Sequence, residues 1–396
     1  MTVRKSPRVG TPAGMRVLNQ RAVLDRLRRG GPATRPQVAK DTGLSKPTVG
    51  QALLDLERHG LVRAIGRTTA GPGRSAMVYE PDPAAGHVLG VDIGRQHIRV
   101  AVADLAGSVV ARVDERNRSR SAATLVRTVR DLAARTAAEA GLTTADLVVK
   151  VVGTPGVPDR HDRTLHHAPN LPGLGRPGLL GDLRAVLGPD LVVENDANLA
   201  AVGERACGAA RGIDVFAYVT VGTGIGMGIV VDGRLFRGAH GAAGEIGYLP
   251  YGDPSGVDVP PRGRLEAVAA AEAVVALARQ HGITTAKSAR DVFALAESGD
   301  ERALLAVRDE GERLAYVVAS VTAVIDPEVV VLGGGIGGNT RMLRGPMEAA
   351  LRRMTPLAPR VVAGELGDGA VLSGAIAMGL RSARELVFDR RGAVTP

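Results

Sequence analysis

Carboxylates and amides gather at two places in this chain, each beside glycine-rich turns. Glu194-Asn195-Asp196-Ala197-Asn198 follows the apolar run Leu191-Val192-Val193 and opens into a helical stretch, Leu199 to Gly208. Polar groups at the C-terminal end of a strand sit where α/β proteins place binding residues. Asp196 can accept a proton from a hydroxyl there, or simply cap the helix that begins near Ala197. Gly241-Ala242-Ala243-Gly244-Glu245-Ile246-Gly247 sets one carboxylate, Glu245, in a flexible loop of small residues. With no Trp and only 2% aromatic residues, a polar ligand would be held by hydrogen bonds rather than stacking.

Two hairpins of one plan flank these groups. Val88 to Asp92 reads as a strand, Gly94 as a turn and Ile98 to Val102 as a return strand. Phe216 to Val221, the turn Gly222-Thr223-Gly224-Ile225-Gly226 and Met227 to Val231 repeat the pattern. Gly153 to Pro158 forms a rigid loop after the strand Leu147 to Val152. The repetition predicts a duplicated α/β fold with a ligand cleft between two lobes, where glycine loops bring backbone N–H groups near an anion. Taken singly, each turn is also what an ordinary β-hairpin uses.

The 396 residues suit two or three domains. Hydrophobic residues at 45% and charged ones at 23% argue for a folded chain. The longest uncharged run, Val215 to Val231, is interrupted by Gly and Thr and makes a poor membrane span. Arg4, Lys5 and Arg8 precede no apolar stretch, so no secretory signal is expected. The sole cysteine, Cys207, excludes an internal disulfide and a Cys-rich zinc site. A cytoplasmic protein is expected.

The net charge of +9 is unevenly spread. Residues 1–80 hold 15 Lys+Arg against 5 Asp+Glu, and residues 81–396 hold 35 against 36. A basic segment on a neutral body points to a separate polyanion-binding module. Its plan is specific. Arg16 to Arg29 and Arg35 to Thr42 read as helices, then Gly43-Leu44-Ser45 turns into a third helix ending near His59. Ser45 is a good N-cap, and Pro47 falls in the first turn, where its missing N–H does no harm. Val49, Ala52, Leu53 and Leu56 follow helical spacing toward a core, leaving Lys46, Thr48 and Gln51 outward. Small Ala39, Gly43 and Val49 have the spacing of a helix-turn-helix, which puts the start of the third helix into the major groove. Leu61 to Ile65 and Ala76 to Tyr79 read as strands around the basic tip Gly71-Pro72-Gly73-Arg74, a wing able to reach phosphates. Ser45, Lys46, Thr48, Gln51 and Arg74 are the predicted DNA contacts. A helical hairpin for protein contact is the plainer alternative.

Pro81 to Gly86 reads as a short stiff linker. Beyond it, the ordered set Asp92-Ile93-Gly94, Gly153-Thr154-Pro155-Gly156, Asn170-Leu171-Pro172-Gly173, Glu194 to Asn198, Gly222 to Gly226 and Gly241 to Gly247 resembles the ROK family (repressors, open reading frames and sugar kinases). Val329 to Gly335 and Leu372-Ser373-Gly374-Ala375 resemble its C-terminal motifs, over about residues 87–385. The resemblance implies an α/β chain, an N-terminal winged helix-turn-helix followed by a two-lobed actin-like sugar-kinase fold, dimeric or tetrameric. The division expected is 1–80 for the DNA-binding domain, 81–86 for the linker, 87–195 for lobe 1 and 196–375 for lobe 2. A C-terminal helix, 376–396, would return to lobe 1.

Departures from the family's pattern shape the functional expectation. Its kinases carry Asp-Ile-Gly-Gly-Thr-Lys in the first phosphate loop, where this chain has Asp92-Ile93-Gly94-Arg95-Gln96-His97. Arg95 adds a side chain where backbone should approach phosphate, and a hydroxyl donor is lost. The family's zinc ligands, one His and three Cys, fall on Tyr248, Val257, Val259 and Arg264, so no zinc and no other cofactor is expected. By the resemblance, Asn195, Asp196, Glu245, Tyr248 and Glu266 face a sugar, and Asp196 would be the base of a kinase. The nucleotide loops would be Asp92, Gly94, Gly222, Thr223, Gly224 and Gly334. The reading favoured is a sugar-responsive repressor on operator DNA without kinase activity. The alternatives are an ATP-dependent sugar kinase with an appended DNA-binding domain, and a regulator that senses a protein partner.

Overall fold

Thr11 starts the first helix by accepting the Gly14 N–H on its hydroxyl at 3.1 Å. The structure, a computed structural model, describes residues 11–68, 75–158, 165–166, 178–252, 263–357 and 359–392. Helix α1 (Pro12–Gly30) is followed by strand β1 (Ala33–Thr34), α2 (Arg35–Thr42), α3 (Lys46–Arg58), β2 (Val62–Arg67) and β3 (Met77–Pro81). Gly43 takes the left-handed conformation, φ 70°, that closes the turn between α2 and α3. Val49, Ala52, Leu53 and Leu56 of α3 are buried with Val23, Leu24 and Leu27 of α1. The strands pair in the order β1-β3-β2, giving the winged arrangement. The wing tip, Arg74 included, lies outside the described residues.

The body repeats one plan twice. Strands β4 (His87–Ile93), β5 (His97–Asp104) and β6 (Val109–Arg116) form an antiparallel meander. Helix α4 (Ala122–Glu139), β7 (Leu147–Thr154), the short pair β8 (Val157–Pro158) and β9 (Leu165–His166), α5 (Leu179–Leu187) and β10 (Val192–Asn195) follow. They complete a sheet of order β10-β7-β4-β5-β6. Helix α6 (Asp196–Cys207) crosses to β11 (Phe216–Val221), β12 (Ile225–Val231) and β13 (Arg234–Phe236). Then come α7 (Arg264–Ala269), α8 (Ala271–Gln280), α9 (Ala289–Glu297), α10 (Glu301–Ile325), β14 (Val329–Gly333), α11 (Gly334–Gly337), α12 (Thr340–Met354) and β15 (Arg360–Ala363). The second sheet runs β13-β12-β11-β14-β15, again a hairpin beside parallel strands. The Asn170 to Gly173 motif lies outside the described residues.

The last helix, α13 (Ala370–Gly392), contacts both the first sheet and helix α1. It packs on β4, β7 and α6. A Cβ on Gly374 would overlap the Leu199 carbonyl oxygen, so α13 and α6 meet backbone to backbone. Its other end holds the DNA-binding domain. Arg21 of α1 pairs with Glu385 and lies 5.2 Å from the Phe388 ring centroid. Arg28 donates to the Arg384 carbonyl at 3.1 Å. Residues 81–86 are no free linker: Pro83–Ala85 makes one 3-10 turn, Ala85 is buried, and the Pro83 carbonyl accepts from Leu105 N–H. One apolar core therefore runs from Leu53 through Ala85 and Val88 to Phe388. No helix among the described residues is long and apolar enough to cross a membrane.

Candidate functional site

A cleft of about 300 Å³ opens between the two hairpin turns. Asn195, Asp196, Glu245, Tyr248 and Glu266 all line it, as do Gly94, Gly222, Thr223 and Gly224. Three elements deliver the polar groups. Asn195 ends β10 and caps α6 by accepting the Asn198 N–H at 3.1 Å. Its Nδ2 donates to the Gly156 carbonyl at 3.2 Å, so most of its bonding holds the protein together. Asp196 is the first residue of α6, not a residue ahead of it, and its Oδ1 accepts from Ala197 N–H at 2.8 Å.

Glu245 is less flexibly placed than its small neighbours suggest. The Gly244 carbonyl accepts from Met227 N–H at 3.1 Å, which ties the loop to β12. Gly263 has φ 86°, and a Cβ there would overlap the Gly247 carbonyl, so α7 starts hard against this loop. That contact brings Glu266 under the second turn, where Oε2 accepts from Ile225 N–H at 3.1 Å. Tyr248 stands at the rim, 39% exposed.

The charges of the cleft are crowded. Burial pushes the Glu245 carboxyl up to about 7, with help from Asp196 and Glu266. Burial also raises Asp196, and two backbone N–H bonds partly offset it. Tyr248 is raised by burial and by the same glutamates. With its carboxyl raised to about 7, Glu245 can both donate and accept, the pattern that a ligand rich in hydroxyls requires.

Two expected residues stand behind the wall rather than on it. Asp92 is 5% exposed and takes Arg99 Nη1 on its Oδ2 at 3.1 Å. Burial pushes it up to about 7 against the pull of Arg99, and Asp196 adds to the rise. Gly334, φ 78°, would carry a Cβ 2.5 Å from the Val221 carbonyl, and its neighbour Gly335 lines the cleft instead. Arg95 lines the cleft beside Gly94. Of the four positions aligned with zinc ligands, Tyr248 and Arg264 are described and are poor zinc donors; Val257 and Val259 lie outside the described residues. Among the described residues, no group of three or more His, Cys, Asp or Glu side chains could hold a metal.

Sequence reasoning missed the supports. Arg99 is one. Another is Arg237, whose Nε meets Glu194 Oε2 at 2.7 Å and links the Glu245 loop to β10. A strand residue four or five places past a turn, such as Arg99, gives its role away only through cross-strand register. The Arg237–Glu194 contact, 43 residues apart, has no local signal at all.

On the DNA-binding domain, Ser45, Lys46 and Gln51 are exposed and Thr48 half-buried at the start of α3. Three of them, Ser45, Thr48 and Gln51, are already engaged. Ser45 Oγ accepts from Thr48 N–H at 3.2 Å, and Gln51 Nε2 donates to Asp55 Oδ1 at 2.9 Å.

A winged helix-turn-helix in front of a two-lobed actin-like sugar-kinase body is the class this architecture defines. The chain belongs to the ROK family, which matches residues 88–381, and residues 21–66 match the IclR helix-turn-helix domain. Glucokinase of Thermotoga maritima is 32% identical over 279 residues, 66% of this chain and 85% of the enzyme. The xylose repressor of Caldicellulosiruptor bescii is 23% identical over 394 residues, 93% of this chain and 97% of the repressor. The bifunctional enzyme NanE/NanK of Brucella suis is 41% identical, but the chain spans only 35% of its length. Among solved structures, a ROK family transcriptional regulator homologous to Escherichia coli MLC has the same fold, with TM-score 0.75 at 22% identity over 96% of this chain and 99% of that one.

Proposed function

We propose that this chain is a sugar-responsive transcriptional repressor: a winged helix (residues 1–80) on operator DNA, a joint (81–86), and two ROK lobes (87–195 and 196–375) that bind a sugar. One observation carries the reading. Helix α6 starts with Asp196 in the cleft and meets α13 backbone to backbone, while α13 holds α1 of the DNA-binding domain. A ligand that prefers one lobe arrangement has a continuous path to the DNA-binding surface. Coverage of nearly whole xylose repressors supports it.

On this reading the protein works in the cytoplasm as a homodimer or homotetramer on a two-fold operator. It holds no structural zinc or other cofactor and transfers no phosphoryl group. The similarity to glucokinase favours the kinase alternative, with Asp196 as base and Gly222 to Gly226 cradling phosphate. Turnover of ATP with a sugar at about 1 per second or faster would establish that alternative. The test of the repressor reading is operator binding with and without candidate sugars. Asp196→Ala should abolish the sugar's effect while operator affinity without sugar stays near that of the parent. Equal operator affinity in Lys46→Ala, Gln51→Ala and Arg74→Ala would place the DNA surface elsewhere.

A further inference from the structure

Helix α3 buries a carboxylate behind its exposed first turns. Asp55 is 5% exposed and follows Gln51 by one helical turn on the same face. Each of its oxygens takes an amide. Gln51 Nε2 donates to Oδ1 at 2.9 Å, and Gln20 Nε2 of α1 donates to Oδ2 at 3.2 Å. Gln20 is itself 3% exposed, so the carboxylate is fixed from the side of α1. The Arg58 guanidinium comes within 3.5 Å of Oδ1 and supplies a counter-charge. Next to Gln51, Gly50 has no side chain, and Arg35 lies against it: a Cβ there would be 3.1 Å from the Arg35 guanidinium carbon. Arg35 and Gln51 are both exposed, so a cation and an amide stand together where a winged helix meets phosphates and base edges.

We propose that Asp55 is a positioning residue for base recognition: it fixes the Gln51 amide so that the protein reads an adenine in the major groove. The inference rests on the DNA-binding reading above and adds to it which base is read and what enforces the choice. A side-chain amide free to rotate presents donor and acceptor in either order and suits several base edges. An ionised carboxylate only accepts, so it captures the Nε2 end of Gln51. The amide then offers a ligand its Oε1 acceptor and its remaining N–H. That pair matches adenine, which presents the N6 donor beside the N7 acceptor. Guanine presents acceptors at both O6 and N7, thymine an acceptor beside a methyl group, and cytosine a donor alone. Holding the amide before DNA arrives also spares the rotamer freedom that binding would otherwise cost. Asp55 touches no base and acts through Gln51.

The full chain is used to select duplexes from a random-sequence DNA pool, and affinities are then measured on the selected duplex. The parent should select an adenine at a position where Gln51→Ala has no preference. Replacing that adenine by purine, which lacks the N6 amine, should weaken the parent about tenfold and leave Gln51→Ala unchanged. Asp55→Ala should keep at most about a threefold preference for adenine over purine. Asp55→Asn offers Oδ1 to Gln51 Nε2, and an N–H to Gln20, whose Oε1 is buried without a partner among the described residues and can turn to accept it. This variant should regain most of the tenfold preference. If Asp55→Ala does not fold, Gln20→Leu combined with Asp55→Leu removes both buried polar partners together, leaving neither orphaned, and should lose the preference equally. A purely structural Asp55 would weaken binding to every sequence alike. An adenine-to-purine ratio in Asp55→Ala or the double variant equal to the parent's therefore overturns the proposal. Equal loss in Asp55→Ala and Asp55→Asn overturns it too, as does a different base, or none, at a Gln51-dependent position. Selection of no sequence by the parent overturns the DNA-binding reading itself, so the two failures are told apart.

Discussion

The two glycine turns that face each other across the cleft share a plan and differ in what fills them. In lobe 1 the turn after β4 carries Arg95 and Gln96, is closed by Gly94 N–H on the His97 carbonyl, and stands over acids already matched with Arg99 and His97. In lobe 2 the turn after β11 is Gly222-Thr223-Gly224, with Thr223 its one side chain. Gly222 N–H bonds to the Gly224 carbonyl, and a Cβ on Gly222 would meet nothing closer than Gly335 N at 3.8 Å. Glu245 there lies among two further acids, Asp196 and Glu266. Lobe 1 pairs the half-exposed Asp114 with histidine and arginine and holds it low, whereas burial raises Glu245 in lobe 2. These two carboxyls should therefore answer pH with opposite signs.

Lobe 2 gives the larger effect, and Glu310 is its extreme. This α10 residue is fully buried in the lobe-2 helical layer, and among the described residues neither carboxyl oxygen has a hydrogen-bond partner. Burial pushes it up to about 8, with Arg313 pulling weakly the other way. A carboxyl raised in the folded state favours folding below its unfolded value near 4.5, and that advantage disappears as pH rises through 8. Glu310→Met keeps the unbranched shape without a charge. We expect the parent to lose stability steadily between about pH 5 and pH 8 and the variant to lose much less. At pH 8 the difference should reach up to about 5 kcal/mol. Thermal melts across that range check it, and parallel curves would mean that Glu310 finds a partner.

Glu245 should show the same sign at smaller amplitude. Its carboxyl is raised to about 7, so the contribution present below about pH 4.5 is gone above pH 7. Glu245→Gln should flatten that part of the stability profile, by up to about 3 kcal/mol before relaxation. It should also remove any change in sugar response between about pH 6 and pH 8, where the parent's carboxyl switches from donor to acceptor. A sugar response in the variant that still changes over this range would assign the switch to another group.

How much of this was legible in the sequence depends on the range of the interaction. Ser45, Pro47 and Gly43 are local signals of capping and turn geometry, and they set α3 and the turn before it correctly. Phe216 to Val221 is bounded by turn residues and appears as that strand. Strand β6 was not read, because it is the edge of the sheet: Val109, Val110 and Arg112 face solvent, and the apolar signal is thin. The cleft set was legible because five polar residues fall in motifs that resemble a family. The balance of charge behind it was not. Asp92 looks like a phosphate-loop residue until the register sets Arg99 opposite it, and Glu310 looks like any charge on a long helix until α12 covers it, with Gly311 against Pro346.

The smallest effect belongs to lobe 1 and has the opposite sign. Burial would raise Asp114, but the His97 hydrogen bond and Arg99 outweigh it, and the carboxyl is held below its ordinary range. A lowered carboxylate stabilises the fold above its unfolded pKa, and the benefit is lost as pH falls through the folded value. Asp114 is 39% exposed, so water screens both partners and the interaction is worth well under its nominal strength, about 0.5 kcal/mol. Asp114→Asn should lower the melting temperature slightly at pH 7, more in low salt than in high salt. As pH falls below the ordinary carboxylate value the difference should shrink, and it should vanish only once pH is below the lowered folded value. Melts of parent and variant at pH 7 and at about pH 2, each in two salt concentrations, separate the outcomes. A difference that persists at the acid end would mean that Asp114 acts through packing, and lobe 1 would then no longer stand as the lobe that settles its charges by pairing.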